Sequence, residues 1–68
     1  MTKLLKAALD NYEAQKSEAL AHLEILFSNS VGIGEHTDIL TEVKKWTCSL
    51  AEAEENIETL NRNFNNES

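Results

Sequence analysis

The stretch ILTEVKKWTCSLAEAEENIETLNRNF, residues 39–64, decides the fold. Its apolar or small residues fall at Ile39, Val43, Trp46, Leu50, Ala53, Ile57, Leu60 and Phe64, in alternating steps of four and three. A stripe with a mean spacing of about 3.5 residues keeps to one side of an α-helix and forms a left-handed packing seam, so this segment calls for a partner helix along its whole length. Neither glycine nor proline interrupts it. One helix is therefore predicted from about residue 37 to about residue 64.

Upstream, the same four–three rhythm runs through Leu5, Leu9, Tyr12, Lys16, Ala19, Leu23 and Leu26. Thr2 is a suitable N-cap, and the Ala-, Leu-, Lys- and Glu-rich composition favours a helix over about residues 2–28. Lys16 is the one discordant seam residue. A seam lysine either lays its methylene stem over apolar surface with the ammonium in water, or fixes register and partner choice. Between the two seams, SNSVGIGEHT (residues 28–37) breaks the pattern with Asn29, Gly32 and Gly34, and it reads as a turn over about residues 29–36. His36 or Thr37 is expected to cap the second helix, with Asp38 in its first turn. The Gly-x-Gly pair does not make a phosphate loop, because no strand pattern precedes it and the third glycine and the lysine are missing. The tail after Phe64, residues 65–68, has neither apolar content nor periodicity and is expected to fray.

Folding the chain back near Ile33 sets opposite one another residues whose numbers sum to about 66. Leu26 then faces Leu40, Leu23 faces Val43, Ala19 and Leu20 face Trp46, Tyr12 faces Ala53, Leu9 faces Ile57 and Leu5 faces Leu60, while His22 comes near Lys44. Large residues meet small ones at Trp46 over Ala19 and at Tyr12 over Ala53, the alternation a filled helix interface needs. The predicted fold is all-α: an antiparallel, coiled-coil-like two-helix hairpin forming a single domain over residues 1–68.

A chain of 68 residues buries only about 60% of the surface its unfolded form exposes, and small scaffolds usually need disulfides, a metal or oligomerisation. The single Cys48 excludes an internal disulfide and offers one thiolate. Oligomerisation remains. The flanks of the seams carry Leu4, Ala8, Leu20, Ile25, Phe27 and Leu40, several of them crowded toward the turn with Val31 and Ile33, as at an interface or the second layer of a bundle. Self-association is therefore expected, the hairpin pairing into a four-helix bundle dimer, or else docking onto another protein. The candidate partner surface is Phe27, Val31, Ile33 and Leu40. Val31 and Ile33 can alternatively fold inward and plug the end of the hairpin.

The formal charge of −6 opposes attraction to phosphate backbones and anionic lipid, so direct nucleic-acid backbone binding is not expected. Residues 1–30 carry three Lys against four acids, while residues 31–68 carry Lys44, Lys45 and Arg62 against eight. Glu52, Glu55 and Glu58, with Glu54, form an acidic face; such a face is ordinarily just the solvated side of a helix. No run of about 18 apolar residues exists to span a membrane, and the N-terminus lacks the long apolar core of a signal peptide. A reducing cytoplasm suits the unpaired Cys48.

His22 and His36 are the only histidines, they lie apart, and neither faces Cys48, so no metal site is expected. Cys48 should lie partly exposed on the outer side of the second helix with acidic neighbours, a poor setting for a nucleophile. A narrow two-helix body offers no concave pocket in which two carboxylates could be desolvated. No catalytic residue and no cofactor is predicted, and the chain does not read as an enzyme.

The turn Asn29-Ser-Val31-Gly32-Ile33-Gly34-Glu35-His36-Thr37-Asp38-Ile39, followed by Ala51-Glu52-Ala53-Glu54 and Ile57-Glu58-Thr59-Leu60, resembles a group of small helical-hairpin proteins of T-even-like tailed bacteriophages. That group has N-x-V-G-I-G-E-H-P-D-I ahead of an A-E-A-E-x-x-L-E-x-L run, and the likeness covers most of the chain. Where the group has proline, this chain has Thr37, which alters how the second helix starts and leaves the turn glycines in place. The resemblance implies a phage product acting in the host bacterial cytoplasm and brings no activity with it. The function expected is a non-enzymatic, small acidic protein–protein interaction or regulatory module acting on a host or phage protein. The alternative is an accessory or DNA-mimic component of a phage replication or transcription assembly.

Overall fold

The computed structural model describes residues 2–29 and 36–65. Two helices account for nearly all of them, α1 over Lys3–Asn29 and α2 over His36–Phe64, and the described residues contain no strand. The helices pack antiparallel along their length, giving an all-α hairpin with principal extents of 50 × 18 × 14 Å. At about 1.5 Å per residue, helices of 27 and 29 residues run about 40 and 44 Å, so the body is one hairpin long and one helix thick.

Local chemistry sets the helix ends. The Thr2 hydroxyl accepts the Leu5 N–H at 3.0 Å and the Thr2 carbonyl accepts the Lys6 N–H at 3.0 Å, so Thr2 caps α1 as its sequence position suggested. Asp38 lies in the first turn of α2 and Arg62 in its last, each where its charge suits the helix dipole. α2 opens at His36, and the expected capping role of the His36 or Thr37 side chain lies outside the described residues.

Both seams point inward. Ala19 and Ala53 have no exposed surface and Leu23 only 7%, while Leu5, Leu9, Tyr12, Lys16, Leu26, Ile39, Val43, Trp46, Leu50, Ile57 and Leu60 are half-buried. Fully enclosed small residues such as Ala19 and Ala53 are what packed helices use to bring their axes to about 8–10 Å, since a long side chain would hold them apart. Lys16 is half-buried, as a seam lysine is when its stem covers apolar surface and its head stays wet. Phe64 departs from the seam: it is 68% exposed. Antiparallel register sets it level with Thr2, ahead of the first residue of α1, so no helix stands opposite to cover it.

Two cross-helix contacts fix the register. The Gln15 side-chain amide donates to the Ser49 carbonyl at 2.9 Å and to Glu52 Oε1 at 3.0 Å, which brackets the level expected from a fold-back near Ile33. The His22 ring lies flat on Trp46, with centroids 3.8 Å apart and planes 3° from parallel. This corrects the pairing of His22 with Lys44. A helical side chain leans toward the N-terminus of its own helix, so the long Trp46 side chain reaches toward the turn and meets His22 beyond the level of Ala19 and Leu20.

Candidate functional site

The hairpin has two long flanks beside its seam, and they differ in chemistry. On one flank α1 presents Gln15 and His22, and α2 presents Glu42, Ser49 and Glu52. Gln15 bridges to Ser49 and Glu52, His22 covers Trp46, and the indole N–H of Trp46 donates to Glu42 Oε1 at 3.2 Å. The Lys45 ammonium stands 4.8 Å from the Trp46 ring centroid, within cation–π range. This flank is therefore tied across by polar and ring contacts, and its largest side chain is half-buried.

The opposite flank follows from the first. Gln15 and its two partners fix which side of each helix faces one way, so residues displaced to the other side of each seam share the other flank. At seven-residue spacing these are Lys6, Glu13, Leu20 and Phe27 on α1, and Leu40, Thr47, Glu54 and Asn61 on α2. Both series change character along the rod. Toward the turn they read Leu20, Phe27 and Leu40; toward the open end they read Lys6, Glu13, Glu54 and Asn61. Leu20, Phe27 and Leu40 are all exposed. Thr47 stands between the two regimes with its hydroxyl tied back to the Val43 carbonyl at 2.7 Å.

Of the expected partner surface, Phe27 and Leu40 are exposed at the turn end of one flank, level with each other across the two helices. Val31 and Ile33 lie outside the described residues. Leu20, which the sequence places both opposite Trp46 and among the apolar flanks, stands one heptad from Phe27 and extends the same surface. Ile25 and Leu4 are also exposed but face elsewhere: five residues along, Ile25 is turned about 140° round α1 from Leu20.

Glu52, Glu55 and Glu58 are all exposed on α2. They do not stand as three idle carboxylates in a row. Glu52 accepts the Gln15 amide, and Glu58 Oε2 lies 4.0 Å from Arg62 Nη1, at the edge of ion-pair range. At three-residue steps each successive carboxylate also swings about 60° round the helix, so the set spirals across the outer surface. Cys48 is a free, exposed thiol. Among the described residues, no three or more His, Cys, Asp or Glu side chains gather closely enough to hold a metal ion, and no helix is long and apolar enough to cross a membrane.

Compared with known proteins, the chain matches no family model, no curated protein and no solved structure.

Proposed function

We propose that this chain is a non-enzymatic, small acidic interaction or regulatory module, phage-encoded and acting on a host or phage protein in the bacterial cytoplasm, and that it pairs with itself into a four-helix assembly. One observation carries the reading: among the described residues only Ala19, Leu23 and Ala53 are fully buried, while Leu4, Leu20, Ile25, Phe27, Leu40 and Phe64 stand exposed. Among the described residues more large apolar side chains are exposed than fully buried, the rest of the seam being half-buried. On a body this small that imbalance supports a function exercised by contact, since covering such side chains is worth about 1.5–3 kcal/mol each when burial is complete. The turn sequence, through its likeness to the phage hairpin group, supports the setting.

Affinity capture of the tagged chain from infected-cell lysate, read by mass spectrometry, tests the proposal. A single host or phage protein recovered in stoichiometric amount, and lost when Phe27 is replaced by Ser, is the expected result. A polymerase or replication subunit in the eluate would assign the chain to that assembly. A chain that emerges alone, with no partner and no second copy of itself, overturns the interaction reading.

A further inference from the structure

Resting on the interaction reading just proposed, we infer that the flank bearing Leu20, Phe27 and Leu40 takes one amphipathic helix of another protein, apolar beside the turn and cationic toward the open end. That helix lies lengthwise in the trough between α1 and α2 and completes a three-helix bundle there.

The occupant is a helix because of what the trough offers. The described residues contain no strand, so among them no sheet edge presents N–H and C=O groups to an extended segment. A helix bonds its own backbone and sets only side chains against an apolar floor. That floor is Leu20, Phe27 and Leu40, which are 43%, 66% and 59% exposed, with half-buried Val43 on the seam beneath them. Leu20 and Phe27 stand one heptad apart, which suits apolar anchors repeating at helical spacing on the incoming helix.

Charge specifies its polar residues. On the outer edge of α1, Glu24 stands between Leu20 and Phe27; on the outer edge of α2, Lys44 stands between Leu40 and Thr47; both are exposed. The two rims of the apolar floor therefore carry opposite charges, and a helix lying between them matches when its edge toward α1 is cationic and its edge toward α2 is not. One heptad further toward the open end, Glu13 on α1 and Glu54 on α2 occupy the same flank at about one level, both exposed. Among the described residues the ion pairs are Lys6 with Asp10 and Arg62 with Glu58, so neither Glu13 nor Glu54 has a cation there. Like charges on facing edges repel, and a lysine or arginine of a third helix placed between them replaces that repulsion with two attractions. Fourteen residues separate Phe27 from Glu13, about 21 Å along the axis, so about four turns of helix span the floor and the carboxylates. The net charge of −6 favours encounter with such a cationic partner. The other flank is a poorer candidate, because Gln15, His22 and Trp46 there already engage partners within the hairpin.

Fluorescence anisotropy with two labelled synthetic peptides, each of about four helical turns, tests the inference on the whole chain. Both carry leucine at seam spacing; at the positions set to face Glu13, Glu24 and Glu54, one carries lysine and the other glutamate. The lysine peptide is expected to bind about tenfold or more tightly than the glutamate peptide, and to weaken as salt is raised. Equal binding of the two, or no binding of the lysine peptide, overturns the inference. Leu20→Gln combined with Leu40→Gln, and separately Glu13→Gln combined with Glu54→Gln, should each weaken the lysine peptide about tenfold or more. Glu18→Gln combined with Glu55→Gln removes the same charge at exposed positions off this flank and should leave binding nearly unchanged. Equal losses in the two carboxylate pairs would mean attraction to net charge alone and overturn the site. Circular dichroism confirms that each variant stays helical, and if the leucine pair unfolds the chain, Phe27→Gln takes its place with the same expectation. Sedimentation equilibrium of the chain alone is the remaining arm: a dimer abolished by the leucine pair gives the flank to a second copy and overturns the partner helix. These failures leave the interaction reading standing, since that reading falls only when the chain captures neither a partner nor a second copy of itself.

Discussion

Ala19→Leu places three additional carbons where the hairpin has no space for them. Ala19 has no exposed surface, and Ala53, equally enclosed, sits on the facing seam toward the open end. Leucine at 19 must therefore push the helix axes apart locally or take a strained rotamer, at a cost of about 1–3 kcal/mol. The total is small enough for this to matter. Domains carry roughly 0.05–0.15 kcal/mol of stability per residue, so 68 residues hold about 3–10 kcal/mol, and with three fully buried side chains among the described residues this chain belongs at the low end. For a domain of this size each kcal/mol shifts Tm by about 4–8 °C, so a drop of at least 4 °C is expected. Urea denaturation followed by helical ellipticity, at one fixed protein concentration, gives the free-energy change directly. Ala21→Leu is the matched control: the same substitution two residues along the same helix, at an exposed position, with the same small propensity change. Expected is a loss of stability at 19 and a change within about 0.5 kcal/mol at 21. Equal effects at the two sites, or a gain at 19, would refute the close approach at Ala19 and with it the packing of the seam.

Gln15→Leu removes both amide bonds to α2; because Ser49 keeps its place in the helix and Glu52 remains in water, the loss should be about 0.5–1.5 kcal/mol in the same denaturation assay, and a neutral result would mean the bridge does not form in solution. His22→Ala uncovers one face of Trp46 and should shift its fluorescence maximum to longer wavelength with a stability loss of about 0.5–1.5 kcal/mol; an unchanged spectrum would remove the stack. Thr2→Ala deletes the cap of α1 and should cost about 1 kcal/mol, concentrated in faster amide exchange at Leu5; unchanged exchange there would deny the cap. Arg62→Ala should leave stability within a few tenths of a kcal/mol, since its pair with Glu58 is long and exposed; a loss above about 1 kcal/mol would show that the pair matters.

The hairpin itself was legible in the sequence because one physical rule specifies it. Apolar residues at four–three spacing leave a helix no other way to bury its stripe, and two such stripes separated by a Gly-containing break pair back on one another. Register was legible to within about two residues for the same reason, and the Gln15 bridge falls where a fold-back near Ile33 puts it. The misplaced side chains share one cause: numbering arithmetic tracks backbone level and ignores where a side chain leans. Trp46 is long enough for that lean to carry it past Leu20 to His22, whereas alanine at 19 has no reach to be misjudged. Phe64 was misread for a related reason. Periodicity continues along α2 past the point where α1 has ended, and a seam residue without an opposite helix is an exposed one.

The difference between the two flanks was present in the sequence but hidden by the way seams are read. Counting apolar residues beside each seam puts Leu4, Ile25, Leu20 and Phe27 in one pool, although they look in different directions. Only a contact that crosses between the helices tells which flank of α1 shares a side with which flank of α2, and Gln15 supplies it. Once the sides are assigned, the pool separates. Leu20, Phe27 and Leu40 fall together near the turn, while Leu4 and Ile25 stay apart from them. The same assignment weakens the acidic face as a binding surface, since Glu52 belongs to the bridged flank and Glu58 lies beside Arg62. A phosphate-like array needs carboxylates fixed on one line and facing one way. Here they turn away from one another at each step, so the apolar flank, whose members do share a direction, is where a partner gains most by touching this protein.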